Sequence, residues 1–84
     1  MKTIVETSTG ISKYLLADTV VLSVTAENIV VGQPVSFIVA DLSSSNAVVH
    51  EGVTAPDDWT GGKYLFDGTD WTQNPNWVEP QPPV

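Results

Sequence analysis

The 84-residue chain predicts an all-β fold, a small antiparallel sandwich or barrel of about six to eight short strands. Three observations carry that expectation. Val, Ile and Thr supply 26 of the 84 residues, and β-branched side chains fit a pleated surface better than a helix. Short apolar runs are punctuated at fairly regular spacing by Gly, Pro, Asn, Asp and Ser. Asp67-Gly68 stands between the apolar residues Tyr64-Leu65-Phe66 and Trp71, the strongest short-range hairpin signal a sequence carries.

Taken in order, residues 2 to 6 read as a first strand, and a polar turn over 7 to 12 contains Gly10. Lys13 to Leu16 follows as a second strand; the wider stretch from Ser12 to Ala17 fits one helical turn or a short strand equally well. Residues 20 to 26 alternate, with Val20, Leu22, Val24 and Ala26 on one face and Val21, Ser23 and Thr25 on the other, the period of a strand with one wetter side. Glu27-Asn28 is the expected tight turn, and Ile29-Val30-Val31 the strand after it, ending at Gly32-Gln33-Pro34. Residues 35 to 42 make the strongest strand pattern, with Phe37 and Val39 toward the core. A polar Ser43 to Asn46 loop precedes a strand over 47 to 53, whose His50 and Glu51 mark an exposed end. A two-residue type I′ turn at Asp67-Gly68 would pair Phe66 with Thr69, Leu65 with Asp70 and Tyr64 with Trp71, so that Tyr64, Phe66 and Trp71 share a face. Residues 1 to 78 thus form a single β domain. Pro80, Pro82 and Pro83 make 79 to 84 a Pro-rich tail, either polar and disordered or an arm across a neighbouring subunit.

A chain this short buries only about 60 to 65% of its unfolded surface, near the lower limit for an unaided core. With no Cys, neither a disulfide nor a thiolate metal site adds stability, so packing and partner subunits must. Charged residues are 15% of the chain against roughly 25% in an average soluble domain, while 42% is hydrophobic. Such a surface invites association between copies, and a homo-oligomer is expected. The net charge of −7 rests on ten acids against Lys2, Lys13 and Lys63, with no Arg. Phosphate-mediated nucleic-acid binding depends on clustered cations and is not expected, nor is attachment to an anionic membrane. No apolar run reaches the 18 or so residues of a membrane span, and Glu6 to Gly10 interrupts the start before a signal-peptide core develops, so synthesis and folding in the cytoplasm are expected.

Trp59, Tyr64, Phe66, Trp71 and Trp77 all lie in the last 26 residues, whereas the first 58 hold only Tyr14 and Phe37. Spaced rings on a β surface are a means of stacking on sugars, so Trp59, Tyr64, Trp71 and Trp77 form a candidate ligand-binding set. In this reading Tyr64 opposite Trp71 is a two-ring platform, with Asp70 or Asn74 near the hydroxyls. The competing readings are a packing nucleus and an oligomer contact, and the packing nucleus is the stronger. Asp57, Asp58, Asp67 and Asp70 have enough oxygens for calcium if the 54 to 62 loop folds over the hairpin, but they lack the spacing of a loop site and read better as turn and solvated carboxylates. Their use as a glycosidase pair has no supporting frame. His50 has no nucleophile elbow beside it, and neither a dinucleotide fingerprint nor a phosphate-binding loop is present. No catalytic residue, metal or cofactor is expected, and the chain reads as a non-enzyme.

Ile11 to Leu15, Phe37 to Leu42 and Trp59 to Trp71 together resemble short uncharacterised proteins encoded by contractile-tailed phages of marine bacteria and cyanobacteria. Within the last segment, the Tyr64-Leu65-Phe66-Asp67-Gly68-Thr69-Asp70-Trp71 element is similar to hairpins of phage tail and fibre polypeptides. The resemblance implies a viral origin and a place on or near the virion; besides its own copies, the expected partners are other virion proteins or, through the hairpin aromatics, a host glycan. It carries no catalytic or binding residues over to this chain. The expected function is therefore a structural or accessory protein that self-assembles; the alternative is a carbohydrate-binding module built on the hairpin aromatics.

Overall fold

The computed structural model describes residues 1 to 78, so the expected 79 to 84 tail lies outside the described residues. It is all-β: eight short strands, every pairing antiparallel, and no helix among the described residues. None is therefore long and apolar enough to cross a membrane. The strands are β1 (Lys2–Glu6), β2 (Ser12–Leu16), β3 (Leu22–Val24), β4 (Ile29–Val31), β5 (Phe37–Val39), β6 (Ala47–His50), β7 (Tyr64–Phe66) and β8 (Trp71–Gln73). They form a β2-β1-β6 sheet, a β3-β4-β5 sheet and the β7-β8 hairpin.

Period-2 alternation sorts the residues of β1 between two packed faces. Ile4, opposite Tyr14 and Val49, points into a core completed by Ile29, Val31, Val39, Leu42 and Ala47, so both three-stranded sheets contribute to one apolar cluster. Thr3 and Val5 point the other way, opposite His50 and Val48 on β6, and are nevertheless buried. Their cover is the hairpin and the loop before it. Phe66 N–H donates to Gly10 O at 2.9 Å, Gly62 N–H to Ser12 O at 3.1 Å, and Leu65 bridges Ile11. The β2-β1-β6 sheet is thus packed on both faces.

The alternation of hydrogen-bonded and non-bonded pairs identifies which backbone groups leave each edge. Thr25 N–H bonds Asn28 O at 2.8 Å, and Gly32 N–H bonds Val21 O at 2.8 Å. Ser23 and Val30 are then the bonded pair between them, and the N–H and C=O of Leu22 and Val24 point out of β3 away from β4. By the same count Phe37 and Val39 bond β4, and the N–H and C=O of Ile38 point out of β5. Thr7 N–H on Asn46 O at 2.9 Å leaves those of Val49 at the outer edge of β6.

Several sequence expectations are corrected. The strongest strand pattern, 35 to 42, pairs only over Phe37–Val39, because β4, its one partner among the described residues, is three residues long and Gly32 turns the chain there. Gly32 has φ +94°, and an added Cβ would lie 2.8 Å from Ser36 Oγ and 3.0 Å from Pro34 O, so no other residue fits the turn. Val39 is buried as expected; Phe37 lies on the same face but is 41% exposed at the sheet edge, its ring 6.1 Å from that of Tyr14. Residues 20 to 26 pair only at Leu22–Val24, leaving Ala26 exposed, and 47 to 53 only at Ala47–His50. The turn expected at Glu27-Asn28 is centred one residue earlier, closed by Thr25 and Asn28, with Thr25 Oγ1 accepting from the N–H groups of Glu27 and Asn28.

The hairpin register also differs. Phe66 pairs with Trp71, Leu65 with Thr72 and Tyr64 with Gln73, so the loop is Asp67 to Asp70 rather than two residues. A type I′ turn needs positive φ at both centres, and only Gly68 has it. Asp67 instead uses its side chain: Oδ1 accepts from Thr69 N–H at 2.8 Å and Asp70 N–H at 2.7 Å, building the turn from a carboxylate. The slip is by an even number, so Tyr64, Phe66 and Trp71 still share one face.

Candidate functional site

The four aromatic residues singled out by sequence gather around the segment from Gly61 to Tyr64. An added Cβ on Gly61 would lie 3.9 Å from Trp59, and one on Gly62 would lie 3.9 Å from Trp77. The Tyr64 ring meets Trp71 at 6.4 Å and 89°, while Phe66 and Trp71 stack at 4.3 Å and 33°. Tyr64 and Trp71 are therefore edge to face, and they present no coplanar pair of faces. Phe66 is buried and the other four rings are half-buried.

Trp59 is tied through polar atoms to the β2-β1-β6 sheet, the middle sheet between the β3-β4-β5 sheet and the hairpin. Its indole N–H donates to Ser12 Oγ at 2.9 Å, Ser12 and Thr3 hydroxyls meet at 2.5 Å, and Thr3 Oγ1 donates to Tyr14 O at 2.9 Å. The proton order has one solution. An indole nitrogen only donates and a carbonyl only accepts, so Thr3 gives its hydrogen to Tyr14 O and Ser12 gives its own to Thr3. Ser12 and Thr3 are buried, and the chain leaves none of their hydrogens idle.

Asp58 organises the opposite end of the loop. Its carboxylate takes Lys63 Nζ at 2.9 Å on one oxygen and the Tyr64 hydroxyl at 2.7 Å on the other. Hydrogen bonds from Lys63 first and Tyr64 second hold the Asp58 carboxyl below its ordinary value, and the bond to Asp58 raises the Tyr64 hydroxyl. The backbone N–H groups of Asp70 and Thr69 likewise lower Asp67. With Asp58 engaged by Lys63 and Asp67 by its own turn, the four acids do not converge, and no group of three metal-ligating side chains occurs among the described residues.

His50 is corrected in place. It is half-buried between the middle sheet and the hairpin, its ring edge-on to Phe66 at 5.1 Å and 82°, and an added Cβ on Gly68 would come within 3.4 Å of it. The residue is also part of a feature that sequence reasoning missed. A cleft of about 390 Å³ lies between the β3 and β6 edges, lined by Leu22, Val24, Val49 and Val53 with Lys2, His50, Glu51 and Gly68. Lys2 Nζ donates to Val20 O at 2.7 Å and pairs with Glu51 at 3.4 Å. On the opposite side of the two sheets, the Tyr14–Phe37 contact joins β2 to β5. No local motif signals this cleft, because its residues come from separate elements and meet only when β3 and β6 are placed side by side.

Comparison with protein-family models, curated proteins and solved structures finds no match for this chain.

Proposed function

We propose that the chain is a non-enzymatic structural or accessory subunit of phage type, which assembles with copies of itself, in the host cytoplasm, into a component on or near the virion. One observation carries the assembly reading: β5 is an edge strand whose Ile38 is 53% exposed, beside Val35 at 58% and Phe37 at 41%. Natural edge strands are guarded by shortness, charge, proline or cover. β5 is three residues long, but from Val35 to Ala40 it carries no charge, and Pro34 stands outside the paired residues. The molecule carries a net charge of −7, so copies repel at distance and approach closely only through such uncharged surface.

The geometry gives less to sugar recognition. The Trp59 indole N–H is taken by Ser12, the Tyr64 hydroxyl by Asp58, and the Tyr64 and Trp71 faces are perpendicular. Sedimentation velocity on the wild type and Ile38→Lys tests the assembly reading. The wild type sediments as an oligomer and the variant as a 9.0 kDa monomer with unchanged circular dichroism; a variant that keeps the wild-type coefficient counts against β5 as the contact.

A further inference from the structure

We infer that the cleft between β3 and β6 receives the β5 edge of a second copy, so that the subunits join head to tail with β5 of one copy beside β3 of the next. The inference rests on the assembly reading above and adds the partner surface. Backbone polarity matches: Leu22 and Val24 turn N–H and C=O out of β3, Ile38 turns its own out of β5, and none of these groups has a partner among the described residues. Strand addition supplies the missing bonds.

Shape matches as well. β5 presents Ile38, Val35 and Phe37 to solvent, whereas β3 borders a recess lined by Leu22, Val24, Val49 and Val53. Register places Leu22, Val31 and Phe37 in one row on one face of their sheet. Extending that sheet from β5 of one copy to β3 of the next therefore turns the exposed Phe37 ring toward the recess. Two β5 edges set against each other would leave both recesses empty.

Charge is compatible with the same pairing. Residues 20 to 26 and 32 to 40 carry no ionisable side chain. The charged residue adjoining β5 is Asp41, and the recess holds the Lys2 ammonium with Glu51 and His50 around it. A contact between unlike surfaces is heterologous and closes into a ring when the rotation permits.

Two variants that each block one edge test the pairing. Val24→Lys places a charge on the β3 edge, and Ile38→Lys places one on the β5 edge. Circular dichroism establishes that each is folded, and light scattering reads their masses singly and mixed. Each variant alone is expected as a monomer, and the equimolar mixture as a dimer, since the intact β5 edge of one meets the intact β3 edge of the other. A mixture that stays monomeric overturns the head-to-tail pairing. So does Val24→Lys at the wild-type mass, which would place the contact elsewhere while leaving assembly itself standing. A monomeric wild type would remove both readings. Should Val24→Lys fail to fold, Val24→Pro, which deletes an outward N–H of the β3 edge, takes its place, with the same outcomes decisive.

Discussion

The His50 imidazole stands edge-on to the Phe66 ring, 5.1 Å between centroids and 82° between planes, and so couples the middle sheet to the hairpin. Thr3, the neighbour of His50 on β1, lies on the face of that sheet closed by the hairpin and the Trp59 loop. A hairpin of two three-residue strands does not stand alone in water. Its order is borrowed from this contact and from the Phe66–Gly10 and Gly62–Ser12 backbone bonds.

His50→Ala should therefore destabilise the fold by about 1 to 2 kcal/mol, more than the ±0.5 kcal/mol usual for an exposed position. Urea unfolding followed by tryptophan fluorescence measures it, with His50→Phe losing less because a ring remains against Phe66. A change within the exposed-site range for His50→Ala contradicts the coupling.

The Trp59–Ser12–Thr3 chain makes an ordered prediction. Ser12→Ala leaves the indole N–H without its acceptor and Thr3 without its donor, and should cost about 1 to 3 kcal/mol. Trp59→Phe removes a single donor and keeps most of the ring, so its cost should be smaller. Denaturant midpoints for the two variants check the order; the reverse order would mean that Trp59 packing outweighs the polar chain.

Acid should weaken the fold partly through the hairpin turn. The Asp67 carboxyl lies below its ordinary 3.8 in the folded state because two backbone N–H groups favour its charged form. The unfolded chain then binds more protons, so the contribution of Asp67 is complete above about pH 4 and is lost as pH falls through the lower folded value. Tyr64 has the opposite sign: its hydroxyl is raised above 10.0, and its contribution is lost only as pH rises beyond that. Asp67→Asn keeps an acceptor oxygen but does not titrate. Its urea midpoint between pH 6 and pH 3 should fall less than that of the wild type, and parallel curves would rule the turn carboxylate out.

Much of the fold was legible because the signals are local. β1 occupies the residues expected of it, and β4 is the apolar run Ile29-Val30-Val31 bounded by its turns. The hairpin faces survived an error in register because the slip was even. What the sequence hid depends on partners. The length of β5 is set by β4, and the burial of His50 is set by a hairpin 16 residues further along. The role of Ser12 is decided by an indole 47 positions away. Sequence did locate the aromatic cluster, but ring orientation and the engagement of Trp59 and Tyr64 emerge only from packing. The cleft beside β3 had no local signature at all.

The assembly claim is tested most directly by multi-angle light scattering on the wild-type protein across a dilution series through micromolar concentration. The expected mass is a multiple of 9.0 kDa that falls toward 9.0 kDa only on dilution. A constant 9.0 kDa at every concentration, with the fold intact, would contradict it.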